Sequence, residues 1–220
     1  MTIRRRLEAA IFLFDMDGTL IDATATIEHI WTLWASRHGV DVAELLAASR
    51  GQRVVDTVRE FAPTGVDEES EVQWLAQAGQ STTTGLIAIP GAIDLLSALP
   101  PGRWAIVTSA EPDLATRWLS AAGLPLPGVL ISGRDVAQGK PDPAGYLLAA
   151  RALDHPMTDA VVFEDSAVGV TAGHTAGARV VGVANAALAG DPRLEYWLPD
   201  FGAVRVQGND GRSLTLLTHP

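Results

Sequence analysis

The sequence predicts an α/β fold in which a Rossmann-like doubly wound parallel sheet forms the core and an all-helical domain is inserted near its N-terminus. Two observations support this prediction. From Ile89 onward, short apolar strands alternate with helical stretches, a pattern typical of a parallel sheet with helices on both faces. Residues 22–86, in contrast, are mostly helical and contain no convincing strand. We therefore expect residues 1–21 and 87–220 to form the core and residues 22–86 the inserted domain.

The first predicted strand is the apolar run Ile11–Phe14, which is followed directly by Asp15 and Asp17. A continuous apolar run of this length, bounded by a turn signal, suits a central strand of a parallel sheet. Side chains two residues apart in an extended chain point the same way, so the two carboxylates would share one site. That site would lie at the carboxyl edge of the sheet, where open α/β sheets bind ligands.

The inserted domain begins with a helix that stops at Gly39 and has apolar residues at helical spacing, namely Ile27, Ile30, Trp31 and Trp34. Further helices are predicted over residues 41–49, 52–61 and 67–80. We expect the tryptophan and isoleucine side chains to pack against other helices rather than to contact a ligand.

The remaining core elements follow from apolar runs and helix-start signals. Strands are predicted at residues 104–107, 129–131, 160–163 and 180–183, and helices are predicted after Pro90, Pro112 and Pro143. A further helix before the last strand contains Gly169, Gly173 and Gly177. Glycines at every fourth position would form a narrow stripe that lets this helix lie close to the sheet.

The composition limits the possible classes of function. The 220-residue chain has a formal net charge of −10 and a pI near 4.8, which argues against nucleic acid or an anionic membrane as partner. It has no cysteine, which excludes disulfides, thiol nucleophiles and thiolate metal sites. No apolar stretch approaches the length of about 18 residues that a membrane span requires. Three arginines before the first strand mimic a signal peptide, but the apolar segment is short and acidic residues follow it, so a cytoplasmic location is expected.

The paired carboxylates point to a metal site. Two adjacent buried carboxylates repel one another, so either Asp15 or Asp17 should hold a proton unless a cation lies between them. A divalent ion with oxygen ligands, Mg²⁺ by default, would satisfy both. The alternative, in which these residues and Gly18 form only a polar turn, stays open at this point. An EF-hand calcium loop is excluded because Leu20 and Thr26 stand where such a loop requires Gly and Glu.

Polar pairs also end two other predicted strands, and parallel strands would bring them to the same edge. Thr108 and Ser109 precede a helix start and could cap it, or bind phosphate through a hydroxyl and the free N–H groups. We expect the cap from Ser109 and the phosphate contact from Thr108. Glu164 and Asp165 could simply match the dipole of the next helix, or supply further oxygens for the cation.

Lys140 is the only lysine of the chain, since every other strongly basic residue is an arginine. It stands between Gly139 and Pro141, which confine its backbone to a loop, so a place on a helix surface does not explain it. A compact ammonium at this position suits contact with a phosphoryl oxygen and a carboxylate.

Taken together, the chain resembles the haloacid dehalogenase-like hydrolase superfamily over nearly its whole length. The resemblance rests on four motifs in the family's order, which are Asp15-Met16-Asp17-Gly18-Thr19, Thr108-Ser109, Lys140-Pro141 and Glu164-Asp165. The helical insert is similar to the cap of the β-phosphoglucomutase-like branch. Within that branch, residues 139–143 and 163–170 look most like sugar- and polyol-phosphate phosphatases.

The resemblance implies a phosphatase mechanism. Asp15 would attack phosphorus and form an aspartyl-phosphate, and Asp17 would protonate the leaving alkoxide and then activate water. Mg²⁺ would be held by Asp15, the backbone carbonyl of Asp17 and Asp165, with Glu164 adjacent or acting through water. Thr108 and Lys140 would act on the phosphoryl oxygens as catalytic groups. The residues expected to contact the phosphoryl group are Asp15, Met16, Asp17, Thr108, Ser109 and Lys140.

The expected substrate is a small sugar or polyol phosphate, and the candidates to contact it are the residues between two cap helices, Arg50, Gly51, Gln52 and Arg53. The alternative function is that of a sugar phosphomutase with the same aspartyl-phosphate chemistry. It is disfavoured because residues 22–86 lack the lysine that the resemblance implies for a mutase cap. Haloacid dehalogenation is disfavoured because those relatives lack an acid at the position of Asp17.

Glu111 departs from the family pattern, because many relatives have a glycine shortly after the Thr108-Ser109 motif. A carboxylate near the entrance could repel very acidic substrates or contact sugar hydroxyls. We expect a small phosphorylated metabolite as the partner and a monomer or weak homo-oligomer as the assembly.

Overall fold

The computed structural model describes residues 5–209 and 214–218. Its strands are β1 (Arg5–Ala9), β2 (Ile11–Phe14), β3 (Ile21–Asp22), β4 (Ile87–Ala88), β5 (Trp104–Val107), β6 (Leu130–Ile131), β7 (Ala160–Glu164), β8 (Arg179–Val183), β9 (Leu194–Leu198), β10 (Val204–Asn209) and β11 (Leu214–Thr218). Its helices are α1 (Thr24–His38), α2 (Val42–Ser49), α3 (Val54–Phe61), α4 (Glu68–Ser81), α5 (Ala92–Ala98), α6 (Pro112–Ala121), α7 (Ala144–Ala152) and α8 (Ala167–Thr175). Short 3₁₀ turns lie at Met157–Asp159 and Ala186–Leu188.

Six of the described strands form one parallel sheet in the order β6-β5-β2-β7-β8-β9. The strand that precedes the two aspartates, β2, is central and pairs with β5 on one side and β7 on the other. Because all the strands run parallel, the polar residues that follow them lie at one edge. The predicted α/β fold with a doubly wound parallel sheet is confirmed.

The two faces of the sheet bury alternate residues of each strand, as a pleated backbone requires. Phe12 and Phe14 point to the face covered by α5 and α6, and Ile11 and Leu13 point to the face covered by α7 and α8. Phe14 stacks on Phe163 of β7, with ring centroids 4.8 Å apart, directly behind the carboxyl edge. The floor of the site is therefore formed by closely packed apolar side chains.

Helices α1 to α4 lie between β3 and β4, which pair antiparallel and join the helical segment to the sheet domain. These helices pack around their own cluster of buried apolar residues, which includes Trp34, Leu45, Val58 and Leu75. The helices predicted over 41–49, 52–61 and 67–80 are confirmed. The domain division at residues 22 and 86 stays a prediction.

The sequence analysis missed several elements. Strand β9 extends the parallel sheet at its edge, and β1, β11 and β10 form a separate antiparallel sheet in that order. The inward side chains of this sheet, including Leu7, Val204 and Leu216, join the buried cluster on the α5 side. Among the described residues, no helix combines the length and the apolar character needed to cross a membrane.

Candidate active site

The sequence pairs that were expected to converge do lie around the carboxyl ends of β2, β5 and β7. The N–H of Asp15 donates to the carbonyl of Phe163 at 3.0 Å, which fixes Asp15 directly beyond β2 and beside the end of β7. The N–H of Thr108 donates to the carbonyl of Ile131 at 2.9 Å, so sheet pairing also continues through Thr108. The strand backbones thus set the positions of both residues.

Lys140 joins the first and last motifs through its ammonium group. Its Nζ donates to Asp15 Oδ1 at 2.5 Å and to Glu164 Oε1 at 2.6 Å, and all three residues are buried. Burial acts to lower the pKa of Lys140, but Asp15 and Glu164 outweigh it, so the pKa lies above its usual value. The lysine therefore brings a fixed positive charge to the edge of the sheet.

Glu164 is fully buried, and both of its carboxylate oxygens accept several hydrogen bonds. Oε1 accepts from Lys140 and from the Tyr146 hydroxyl at 2.7 Å, and Oε2 accepts from the Ser166 hydroxyl at 3.1 Å and from two backbone N–H groups. Its main role in the geometry is to hold the lysine. The sequence analysis missed Tyr146 and Ser166, because a Tyr in a helix and a Ser after an acidic pair carry no distinguishing pattern.

A buried acidic cluster lies beside the lysine. Asp15, Glu164 and Asp165 each offer a carboxylate oxygen, and these oxygens lie within 4.8 Å of one another, so they could hold a metal ion. Burial raises the pKa of Asp15 to about 7, an effect that Lys140 opposes and Glu164 increases. Burial also raises the pKa of Asp165 well above its usual value, with added repulsion from Asp15 and Glu164. This arrangement of carboxylates is electrostatically unfavourable without a further cation.

Asp17 lies in the turn that follows Asp15. Its Oδ1 is buried and has no hydrogen-bond partner among the described residues. Burial raises its pKa to about 8, and the nearby Asp15 carboxylate adds to the shift. The Met16 side chain is buried in the core, so only its backbone is available to a ligand. Gly18 has a φ of 87° and lies against the Asp165 carboxylate, where a Cβ would overlap it.

The hydroxyls of Thr108 and Ser109 differ in their contacts. Thr108 Oγ1 accepts from the N–H of Ala110 at 3.0 Å, which leaves its own proton available to an acceptor in the site. Ser109 donates instead to the carbonyl of Gly51 at 2.8 Å. The prediction that Ser109 caps the following helix is wrong. Helix α6 begins at Pro112, and its N-cap residue is Glu111. Ser109 joins the sheet domain to the helical segment.

A cavity of about 190 Å³ lies between the carboxyl edge and the helical segment. Asp15, Asp17 and Asp165 line one end of it, and Arg50, Gly51, Gln52 and Arg53 line another part. The remaining walls are mostly apolar and include residues of the helical segment and of the part around the sheet, such as Trp31, Leu75, Leu114 and Trp118. Glu111 also lines the cavity and forms an ion pair with Arg134.

Two of the four substrate candidates are engaged by the protein itself. Gly51 has a φ of 77°, its carbonyl accepts from Ser109, and a Cβ there would lie 2.6 Å from Ser166 Oγ. The Arg53 guanidinium binds Asp56 and backbone carbonyls of the sheet domain, and its side chain is 12% exposed. Arg50 and Gln52 line the cavity, and within the described part of the chain neither side chain makes a hydrogen bond or an ion pair, so they remain open to a ligand.

A family model described as haloacid dehalogenase-like hydrolase matches residues 9–177. The chain belongs to this family. The four motifs quoted above all lie in the matched region, and the resemblance inferred from them is confirmed.

Members of the family with assigned activities are similar over most of the chain. Hexitol phosphatase A of Escherichia coli K12 is 40% identical over 187 residues, which is 83% of this chain and 86% of that protein. 2-Deoxyglucose-6-phosphate phosphatase 1 of Saccharomyces cerevisiae is 34% identical over 94% of each chain. The crystal structure of β-phosphoglucomutase from Clostridium difficile has a TM-score of 0.73 at 18% identity, over 88% of this chain and 92% of that one. This last similarity shows the fold alone.

Proposed function

We propose that this protein is a Mg²⁺-dependent phosphatase that hydrolyses a small sugar or polyol phosphate monoester through an aspartyl-phosphate on Asp15. The observation that carries the proposal is the buried contact of 2.5 Å between Lys140 and Asp15, a residue that lines the cavity. A carboxylate and an ammonium in contact, at a water-excluded strand end that opens on a cavity, suit nucleophilic attack on a phosphate ester.

Asp15 is the proposed nucleophile. Lys140 binds its Oδ1, so the other carboxylate oxygen is the one that attacks phosphorus in line with the leaving alkoxide. The P–O bond to the alkoxide breaks as the bond to Asp15 forms, and water later displaces the carboxylate to release inorganic phosphate. Lys140 stabilises negative charge on the phosphoryl oxygens in both steps, because its own charge is fixed.

Asp17 is the proposed general acid and base. With a pKa of about 8, it holds a proton at neutral pH and can donate it to the leaving alkoxide. The carboxylate that results then accepts a proton from the attacking water. Its unpartnered Oδ1 supports this role, because a buried polar atom without a protein partner is available to a ligand.

The acidic cluster fits a magnesium ion. Its donors are hard carboxylate oxygens, and their pKa values are raised mainly by burial and further by mutual repulsion, both of which a divalent cation would offset. We propose Asp15 and Asp165 as direct ligands, with the backbone carbonyl of Asp17. Glu164 contributes its charge or acts through water, because both its oxygens already accept hydrogen bonds. When bound, Mg²⁺ would neutralise phosphoryl charge.

The remaining phosphoryl contacts come from the Thr108 hydroxyl and from backbone N–H groups of the turn at Met16 and Asp17. Thr108 is buried, and its hydroxyl proton is free to donate, which favours it over Ser109 as a ligand of phosphate. We therefore propose Ser109 as a contact between the domains rather than as a direct phosphate ligand.

Residues 22–86 are the proposed cap, and the cavity beneath them is the proposed site of the leaving group. Hexitol phosphatase A and 2-deoxyglucose-6-phosphate phosphatase 1 act on polyol and sugar phosphates by name, which supports a substrate of this class. Arg50, Gln52 and Glu111 line the cavity and offer the donors and acceptors that hydroxyl groups need, while tryptophans supply apolar faces. A cytoplasmic location and a monomer or weak homo-oligomer stay predictions.

The mutase alternative is disfavoured by a specific observation. A mutase must bind a second phosphate beneath its cap, and Arg53 was a residue that could have replaced the missing cap lysine. Its donors are instead occupied by Asp56 and by backbone carbonyls. Arg50 alone remains among the arginines of this loop.

The proposal is tested by measuring phosphate release from hexitol, glycerol, 2-deoxyhexose and hexose phosphates with Mg²⁺ and with chelator. We expect release from at least one polyol or sugar phosphate with Mg²⁺, and none with chelator. Isomerisation of glucose 1-phosphate is measured in parallel. Isomerisation without phosphate release would support the mutase instead, and no turnover of any ester would contradict both functions.

The matched control is Asp15→Asn, which keeps the size of the side chain and removes the nucleophile. We expect it to lose at least about 10⁴-fold in turnover, because without the covalent route the very slow direct hydrolysis remains. An unchanged melting temperature would show that the variant folds. Substantial activity in a folded Asp15→Asn protein would contradict the assigned nucleophile.

A further inference from the structure

Among the hydrogen bonds described between the cap and the sheet domain, Arg53 contributes three through one side chain. It is the N-cap residue of α3, but its side chain reaches away from that helix to the segment 133–137 of the sheet domain. A guanidinium has five N–H donors, and each of those of Arg53 has an acceptor. Nε and one Nη2 proton bind Asp56 at 2.6 and 2.9 Å, and the other three bind the carbonyls of Gly133, Val136 and Ala137 at 2.9–3.3 Å.

Asp56 orients the guanidinium from within the cap. It lies one helical turn after Arg53, and its two carboxylate oxygens accept from Nε and Nη2 on the edge of the guanidinium that faces the cap. This bidentate arrangement fixes the plane of the guanidinium and points the remaining donors at the sheet domain. The Arg53 side chain is only 12% exposed, so its contacts are little weakened by solvent.

The segment that Arg53 binds leads directly to Lys140. Gly133 and Gly139 both lie against the arginine, where a Cβ would be 3.3 Å from Arg53 Cδ at the first position and 2.8 Å from Nε at the second. Any side chain at Gly139 would therefore displace the guanidinium. The residue next to Gly139 is the lysine that contacts Asp15 and Glu164.

A second contact of the same cap loop lies on the other side of the site. The Gly51 carbonyl accepts from Ser109, which follows Thr108 at the end of β5. The cap loop thus contacts the two segments that carry the proposed phosphate ligands Thr108 and Lys140. Closure of the cap and the position of these ligands are linked by hydrogen bonds between named atoms.

We propose that Arg53 is a positioning residue that couples closure of the cap to the placement of Lys140 against Asp15. The proposal rests on the proposed phosphatase function. Arg53 touches neither the reacting atoms nor the phosphoryl group, and it acts through the carbonyls of the segment 133–137. When the cap opens, these carbonyls lose their donors, and the loop that ends in Lys140 loses its only charged contact from the cap among the described residues.

The test compares Arg53→Gln with Arg59→Gln, a matched control in the same helix. Arg59 also lies near Asp56, at 3.6 Å, but its side chain is 62% exposed and it does not contact the sheet domain in the described structure. We expect Arg53→Gln to lower kcat by about 10- to 100-fold, the effect of one or two charge-assisted hydrogen bonds, and to change KM by less than about threefold. Arg59→Gln should keep both constants.

Hydrogen exchange of the metal-free proteins gives a readout that does not depend on activity. Amides of residues 133–140 should exchange at least about tenfold faster in Arg53→Gln than in the wild type, and at the wild-type rate in Arg59→Gln. Arg53→Lys should behave like Arg53→Gln, because an ammonium keeps the charge but lacks the planar fork. If Arg53→Gln does not fold, Asp56→Asn replaces it, with the same expected results.

The outcomes separate this inference from the function on which it rests. A wild type that releases no phosphate contradicts the phosphatase function, and the exchange rates then still test the contact itself. An active wild type with unchanged kcat and exchange rates in Arg53→Gln overturns the coupling. A rise in KM at unchanged kcat also overturns it, because that result describes an arginine that only holds the cap near the substrate.

Discussion

At the scale of single residues, the chemistry of the site depends on which carboxyl groups hold a proton. Asp15 is buried and Asp17 is half-buried beside one ammonium, and burial raises the pKa of Asp15 to about 7 and that of Asp17 to about 8. Two neighbouring carboxyls with different partners can therefore serve as nucleophile and as acid. Lys140 binds Asp15 and leaves Asp17 without a protein partner for Oδ1, which separates the two roles.

These shifts predict a pH dependence of stability in the metal-free protein. A carboxyl whose pKa rises from 3.8 to about 8 on folding binds its proton more tightly in the folded state. The free energy of unfolding must then fall as the pH rises from about 4 to about 8, because ionisation is easier in the unfolded chain. Asp17→Asn removes this titration, so near pH 8.5 the variant should be more stable than the wild type by at least about 1.4 kcal/mol, the value of one pKa unit.

The measurement is urea unfolding with chelator at about pH 4.5 and pH 8.5, for the wild type and for Asp17→Asn. We expect the gap between the proteins to widen toward high pH. Equal slopes of stability against pH for the two proteins would mean that Asp17 does not have a raised pKa in the folded state.

The role of a residue could be predicted when a local pattern, such as its place after a buried strand, indicates it. It could not be predicted when it depends on a contact with a distant segment. Asp15 and Asp17 follow a recognisable buried strand, and the lone Lys140 stands in a loop that no packing role explains. Tyr146 contacts Glu164 only because α7 packs on the sheet face beneath it. The sequence indicates Arg53 only as a substrate candidate, because nothing local reveals the backbone carbonyls that its side chain binds.

At the scale of elements, helix α8 shows how one glycine shapes the site. The predicted glycine stripe is present in part, because Gly169 and Gly173 face β7 and its neighbours, whereas Gly177 lies beyond the helix end with a φ of 93°. A Cβ on Gly169 would overlap the Glu164 carboxylate. Because Gly169 has no Cβ, α8 can lie close to β7 and still leave room for the Glu164 carboxylate that binds Lys140.

Gly169→Ala and Gly173→Ala should separate stability from activity. Gly169→Ala must move Glu164, so we expect kcat to fall by at least about tenfold as Lys140 loses its partner. A Cβ on Gly173 would lie 3.0 Å from Val162 Cγ1, away from the charged groups. It should cost about 1–3 kcal/mol of stability with kcat retained.

Steady-state kinetics and urea unfolding of both variants check this pair. If Gly169→Ala kept the wild-type kcat, Glu164 would have no part in positioning the lysine. The same conclusion would follow if the two variants lost activity equally at equal stability.

The elements that sequence patterns predicted are those with strong local signals. The buried runs of β2, β5, β7 and β8 are continuous and apolar, so their bounds could be read from the sequence almost to the residue. Strand β1 could not be predicted, because it is mostly charged and has few apolar residues to show a pattern. Its partner β11 also lies near the other end of the described chain. The two-residue strands β3 and β4 are too short to show any period, and only their pairing defines them.

At the scale of the whole molecule, the site exists only when distant segments are folded together. The segments that carry Asp15, Lys140 and Asp165 meet at one sheet edge, where Lys140 offsets only part of the repulsion among the buried carboxylates. Any ion that binds the folded protein and not the unfolded chain stabilises it by mass action. Metal binding should therefore raise the free energy of unfolding of the whole protein.

We predict that Mg²⁺ at about 100 times its dissociation constant raises the free energy of unfolding by about 2.7 kcal/mol. Thermal unfolding across a Mg²⁺ titration after chelator treatment measures the effect. Asp165→Asn should abolish the dependence, because it removes one of the proposed direct ligands. Stabilisation of wild type and Asp165→Asn to the same extent would place the ion elsewhere.

The central claim is that Asp15 bonds covalently to phosphorus during turnover, and the stereochemical course of the reaction at phosphorus tests it most directly. The substrate found in the phosphate-release assay is prepared as a phosphorothioate ester that is isotopically chiral at phosphorus, it is hydrolysed in water that carries the remaining oxygen isotope, and the configuration of the released thiophosphate is determined. Two successive in-line displacements, first by Asp15 and then by water, predict net retention of configuration. Net inversion would mean that water attacks the ester directly, and it would contradict the account.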